Sequence, residues 1–110
     1  MPKFRLDLRF VIYREDDVWL AHCLELDIVA EGTSASEAMS DALRLCALQF
    51  EFAMDQGDIK SVFRAAPPEF WAMYSKSKTV AAPQRTIDEG WPPAIEISSV
   101  DARELELCAG

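Results

Sequence analysis

The chain has 110 residues, about half of them apolar, and a formal net charge of −8 at pH 7, with 19 acidic side chains against 11 basic ones. Its length suits a single domain with one core, because domains of about 100–150 residues are the commonest. The acidic balance argues against broad nucleic-acid binding, which needs a basic face. It either keeps the protein soluble or attracts a basic partner.

The first part of the chain predicts a small antiparallel sheet. Residues 3–14 alternate apolar and polar side chains, which indicates a strand with one buried face. Glu15-Asp16-Asp17 (15–17) is a polar break short enough for a hairpin turn, so residues 18–23 form a second, antiparallel strand. After a corner, a short third strand covers 28–31, and Gly32 ends it.

A long helix is predicted next, from about Ala35 to Gln56, with Gly57 as the residue at positive φ after it. Ser34 is a good N-cap, and Glu37 three residues later completes a capping box. Residues at helical spacing, all apolar except Gln49, which is expected at the edge, predict one buried face: Ala35, Ala38, Met39, Ala42, Leu45, Cys46, Gln49, Phe50 and Ala53. Three apolar residues lie off that stripe and are expected to be exposed for a second contact: Leu43, Leu48 and Phe52.

The remainder of the chain is less regular. Residues 65–74 contain Pro-Pro and predict a loop that enters a short helix, because proline is tolerated in a first helical turn. Residues 75–90 are polar and predict a mobile link. Two alternating runs, 95–97 and 105–107, predict one or two strands joined around 99–102. They would return to the sheet edge or pair with another subunit.

These elements predict an α+β fold, in which a three-stranded antiparallel sheet packs on one long helix and C-terminal strands follow. Residues 1–74 would be the domain, 75–90 the link, and 91–110 the segment that joins the same or a neighbouring sheet. Because a small sheet leaves unpaired edges, we expect a homodimer or larger assembly. Its predicted contacts are Leu43, Leu48, Phe52, Ile95 and Ile97.

The cysteines indicate a reducing environment. Cys23, Cys46 and Cys108 are an odd, scattered set that does not suggest a disulfide framework, so the cytoplasm is the expected location. No signal-peptide pattern opens the chain, and no stretch approaches the ~20 apolar residues that span a bilayer.

The sequence offers little support for catalysis through its single histidine. His22 adjoins Cys23, and neighbours in a strand face opposite sides, so a Cys–His nucleophile is not predicted. We expect Cys23 in the core and His22 at a surface or interface. The ligand spacing of a zinc site and the glycine-rich loop of a phosphate site are both missing, so we predict no metal and no cofactor.

The numerous carboxylates leave a metal nuclease as an alternative. Asp7 lies on the first strand, and Glu37 and Asp41 lie one turn apart on the helix. A strand–strand–strand–helix order with a first-strand aspartate resembles ribonuclease H. However, a two-metal site needs several convergent carboxylates. Asp7 falls on the polar side of its strand, and Glu37 already has a role at the helix cap.

The segment 19–38 carries a recognisable pattern. Its first part, a strand ending in Ala-x-x-x-Glu-Leu, is matched by Ala21, Glu25 and Leu26. Its second part, Gly-Asp-Thr-x-x-Glu-Ala at the start of a helix, is matched by Gly32, Ser34, Glu37 and Ala38, with Thr33 where aspartate is usual and Ser34 where threonine is usual. Over residues 3–56 the chain thereby resembles the HicB-like antitoxin domain.

The resemblance implies a partial ribonuclease H fold without catalytic carboxylates. Better-known members bind and block HicA, a small basic toxin that cleaves mRNA, and often add a C-terminal module for operator DNA. No basic helical pattern follows Tyr74, so we expect no DNA-binding module.

We therefore expect a non-enzymatic protein whose acidic face occludes a basic HicA-type toxin. The main alternative is a stand-alone oligomeric HicB-like module without a toxin, and the nuclease comes third. The partner contacts are expected at Trp19, His22, Glu25, Asp27 and Glu31.

Overall fold

The computed structural model describes residues 4–80, 91–93 and 95–105. Within them the elements are strands β1 (Phe4–Glu15), β2 (Val18–Cys23) and β3 (Ile28–Gly32), helix α1 (Ala35–Asp55), a 3₁₀ turn (Ile59–Val62), helix α2 (Pro68–Ser75), and strands β4 (Lys78–Val80) and β5 (Ile95–Glu104). The strands form one five-stranded mixed sheet in the order β3-β2-β1-β5-β4. The α+β class is confirmed, but the expectation of a three-stranded antiparallel sheet is wrong.

The first three strands follow the predicted pattern. Glu15 pairs with Val18 across the hairpin, and Asp16 in the turn has a φ of 54°, a left-handed conformation that aspartate visits more readily than most residues. β3 then runs antiparallel to β2, with Ala21 opposite Ala30. The alternation and the short polar break were therefore sufficient to define this part of the sheet.

The C-terminal strand changes the architecture. β5 pairs with β1 in parallel, from Phe4 opposite Ile95 to Ile12 opposite Glu104. The register shifts once, which leaves Ser98 as an extra residue in a β-bulge. The predicted joint around 99–102 does not exist, because β5 is continuous there.

Two predicted oligomer contacts consequently lie within the chain's own sheet. Ile95 is buried in the core and Ile97 is half-buried against it, because the strand that carries them pairs with β1 of the same chain. Of the second alternating run, only Leu105 lies among the described residues; 106 and 107 lie outside them.

Both faces of the sheet are covered, each by one helix. In β1, Phe10 and Ile12 belong to the core beneath α1, whereas Val11 and Tyr13 belong to a second core with α2. The expectation that this strand buries one face holds only near its start. Its later residues are buried on both sides because α2 packs against the face that was expected to meet solvent.

Helix α1 begins at Ala35, as predicted. The Ser34 Oγ accepts a hydrogen bond from the Glu37 N–H at 3.1 Å, so the N-cap is confirmed. The Glu37 carboxylate reaches Thr33, whose hydroxyl donates at 2.9 Å and whose N–H donates at 3.4 Å. The reciprocal half of the capping box is thus displaced by one residue. Beyond the helix, Gly57 has the predicted positive φ, 69°.

The buried side of α1 is rotated from the predicted stripe. Leu43 is fully buried, so its assignment as an exposed oligomer contact is wrong, and Leu45, expected inside, is 39% exposed. From Ala38 to Ala47 the buried positions come as adjacent pairs every four residues, as at Ala42 and Leu43, which centres the packed face on different residues. Leu48 and Phe52 are exposed as expected.

The end of β3 and the start of α1 approach each other closely. A Cβ added at Gly32 would lie 2.6 Å from the backbone nitrogen of Ala38 and 3.1 Å from the Glu37 Cβ. Ala38 itself is fully buried. Close packing therefore explains why the recognised pattern has glycine at position 32 and alanine at position 38.

The segment predicted as a link is partly ordered into the sheet, since β4 pairs antiparallel with β5. Residues 81–90 of that segment lie outside the described residues, and the division into domain, link and tail stays a prediction. Within the described part of the chain, neither helix is long and apolar enough to cross a membrane.

Candidate functional site

The predicted partner contacts do not form one exposed patch. Glu31 is exposed on edge strand β3, and Trp19 is half-buried. His22 is 2% exposed, so the expectation that it lies at a surface is wrong. Glu25 and Asp27 are half-buried and engaged inside the chain.

The buried histidine is held by a neighbouring aspartate and an aromatic ring. His22 Nε2 lies 2.6 Å from Asp27 Oδ1, and its ring lies 4.3 Å from the ring of Phe70 in α2. Asp27 has a φ of 52° in the corner between β2 and β3, so this contact fixes the corner. The Nδ1 atom is buried and has no hydrogen-bond partner among the described residues. The His22–Asp27 pair therefore has a structural role, because Phe70 of α2 packs against the histidine ring.

The second acidic residue of the corner binds an arginine of the central strand. The Glu25 carboxylate accepts hydrogen bonds from the Arg9 N–H and from Arg9 Nη1, both at 2.7 Å. The Arg9 guanidinium also lies 6.0 Å from the centre of the Trp71 ring. The bond with Glu25, followed by its charge, raises the pKa of Arg9. Glu25 is thus compensated within the chain and is poorly placed to attract a basic partner.

A second polar cluster lies on the same side of the sheet. Tyr74 of α2 donates a hydrogen bond to Asp101 of β5, and the Arg103 guanidinium lies 4.2 Å from the Tyr74 ring centre. Burial, and then the bond to Asp101, raise the pKa of Tyr74. This cluster ties α2 to the C-terminal strand, so it also has a sufficient structural role.

The carboxylates of the nuclease alternative do not converge. Asp7 lies on the side of β1 opposite α1, where it accepts a hydrogen bond from the Ser99 hydroxyl at 2.7 Å. Glu37 and Asp41 lie on α1, and Asp41 pairs with Arg44 at 3.2 Å. The sheet therefore separates the first-strand aspartate from the helix carboxylates. Among the described residues, no group of three or more His, Cys, Asp or Glu side chains is placed to hold a metal ion.

Two cysteines meet in the core beneath α1. Cys23 of β2 is buried as predicted, and Cys46 of α1 is also buried; both are free thiols. A hydrogen bond with Cys23, followed by burial, raises the pKa of Cys46 well above its usual range. A thiol with a raised pKa and no solvent access is a poor nucleophile, so this pair has the character of core packing.

The outward side of α1 carries exposed apolar residues that the predictions assigned to oligomer contacts, or, for Leu45, to the core. Leu45, Leu48 and Phe52 are 39%, 53% and 64% exposed. The sequence signal for Leu48 and Phe52 was their position off the buried stripe, and Leu45 was missed because it falls at a core-like spacing. No family model, curated protein or solved structure matches the chain.

Proposed function

We propose that the chain is a HicB-like binding protein that occludes a small basic ribonuclease of the HicA type. The observation that carries the proposal is the junction of β3 and α1. There Gly32, Ser34, Glu37 and Ala38, the residues of the recognised pattern, make a close strand–helix approach and a capped helix. The hairpin, third strand and long helix also occur in the order that the resemblance implies.

The charge of the chain supports a basic partner. A net charge of −8 gives an attractive field for a cationic protein and a repulsive one for RNA. Inhibition would follow because the bound chain covers the cationic surface on which a ribonuclease holds its phosphates. This mechanism requires no catalytic group from the chain.

The stand-alone oligomeric module is the alternative, and edge strand β3 favours it. Among the strands that the structure describes, β3 pairs with β2 on one side only, and an unpaired edge is a template for another strand. In that case the chain would self-associate and no toxin would be needed.

A binding measurement tests the proposal. The probe is a purified HicA-type ribonuclease, ideally the product of a small basic reading frame beside the gene, titrated into the chain by calorimetry. We expect a saturable complex whose affinity falls as salt is added, because complementary charges are screened. Absence of binding at low salt would contradict the proposal.

A further inference from the structure

The outward side of α1 presents an apolar stripe to solvent. Leu45, Leu48 and Phe52 are spaced three and four residues apart, so they align along one side of the helix. We call these three residues the α1 stripe. The opposite side of the helix packs on the sheet, so the stripe residues do not contribute to the core. Contiguous apolar surface of this kind marks an interaction site more often than isolated exposed residues do.

The stripe is flanked by carboxylates that have no counter-charge among the described residues. Glu51 and Asp55 lie one turn apart beside Phe52, and neither forms an ion pair with the described residues. The last turn of α1 contains no basic residue, so both acids stand near the negative end of the helix dipole. Like charges at this spacing also repel each other. This concentration of negative charge is therefore unfavourable in the isolated chain, and a positively charged group of a partner would neutralise it.

The stripe continues into a groove beside the sheet. Leu45 also lines a cavity of about 400 Å³ between α1 and edge strand β3, together with the exposed Val29 and Glu31. Asp41 and Arg44 line it as well but pair with each other. The surface thus combines apolar contacts with surplus negative charge along its length.

We infer that the α1 stripe, with Glu51 and Asp55, binds a lysine- or arginine-rich apolar surface of a protein partner. The inference rests on the proposed function for the nature of that partner, and it moves the contact away from the corner residues. His22 is buried there, and Glu25 is already neutralised by Arg9.

Charge decides between such a partner and a second copy of the chain. In a symmetric pair of α1 helices, Glu51 and Asp55 would meet either their own copies or the end that carries Glu37 and Asp41. Arg44 is the single cation of the helix. Repulsion between like charges disfavours either arrangement. A cationic apolar surface, in contrast, matches both the apolar stripe and the negative charge of Glu51 and Asp55.

The first experiment uses synthetic amphipathic helical peptides, with leucines on one face and either lysines or glutamates on the flanks. The lysine peptide should bind the chain and the glutamate peptide should not. Phe52→Ser should weaken binding about tenfold or more, as for a central apolar contact. Glu51→Gln with Asp55→Asn should weaken it several-fold and reduce its salt dependence.

A control is available at the hairpin, where Glu15→Gln with Asp17→Asn removes two negative charges next to the strand ends that meet the start of α1, away from the end that carries Glu51 and Asp55. If peptide binding depends on the charge beside the α1 stripe, this control should leave the affinity within about twofold of that of the unmodified chain. Equal binding of both peptides, or equal losses in the two double variants, would overturn the inference. So would a sedimentation mass of twice 12.4 kDa that Phe52→Ser returns to the monomer, because a second copy would then occupy the stripe.

The same variants titrated with a HicA-type ribonuclease separate the inference from the proposed function. If the ribonuclease binds and none of the α1 variants weakens it, the inference is overturned while the proposed function stands. If the ribonuclease does not bind but the lysine peptide shows the expected pattern, the proposed function fails and the inference stands. Circular dichroism verifies folding, which these exposed substitutions should preserve.

Discussion

Gly32→Ala tests whether the strand–helix junction is as close as the structure has it. The new Cβ would lie 2.6 Å from the Ala38 nitrogen, where side-chain carbons essentially never approach within 3.0 Å. β3 and the first turn of α1 must therefore separate by at least about 0.4 Å, an overpacking that costs about 1–3 kcal/mol. Backbone atoms, unlike side chains, cannot rotate away. For a domain near this size, each kcal/mol lowers the melting temperature by about 4–8 °C.

Gly57 provides the matched control, measured by urea unfolding with circular dichroism. A Cβ there meets nothing within 4 Å, but φ is 69°, so alanine should cost about 1–2 kcal/mol through conformation alone. Asparagine tolerates that conformation and should be better than alanine at Gly57, whereas at Gly32 it should be worse because it is larger. An unchanged midpoint in Gly32→Ala, or asparagine outperforming alanine at Gly32, would refute the close approach.

Three further changes probe the cap, the α2 side and the core. Ser34→Ala should reduce the free energy of unfolding by roughly 0.5–2 kcal/mol. In the same denaturation assay, Ser34→Asp should retain most of the stability of the unmodified chain, because aspartate also caps helices well. Because the pKa of Tyr74 is raised in the folded state, its stabilising contribution is complete below pH 10 or so and is lost as pH rises through the folded value. Tyr74→Phe should therefore flatten the alkaline loss of stability; an unchanged slope would contradict this. Iodoacetamide near pH 8 should label Cys23 and Cys46 slowly in the folded chain and rapidly in urea, as mass spectrometry of the peptides would show.

The β1–β2–β3–α1 portion was predictable because its signals are local. Strand alternation, the polar break at 15–17 and the cap at Ser34 each depend on a few neighbouring residues. Their geometry needs no knowledge of distant parts of the chain. Within α1, the exchange of Leu43 for Leu45 arose because adjacent apolar pairs leave the centre of a helix face ambiguous.

The position of β5 was not predictable in the same way, because its pairing with β1 joins the two ends of the described chain. A signal for burial on both faces was nevertheless present in the unbroken apolar run 10–13. Strands covered on both sides lose their alternation. Recognising that run would have indicated cover from a second helix and predicted that His22, which shares the face of Val11, is buried.

The most direct test of the central claim is an RNA cleavage assay with a HicA-type ribonuclease and increasing amounts of the chain. Occlusion predicts that cleavage is abolished once the chain matches the ribonuclease in amount. It also predicts that Phe52→Ser, combined with Glu51→Gln and Asp55→Asn, shifts the inhibition to much higher concentrations. Cleavage that continues undiminished in large excess of the folded chain would contradict the account.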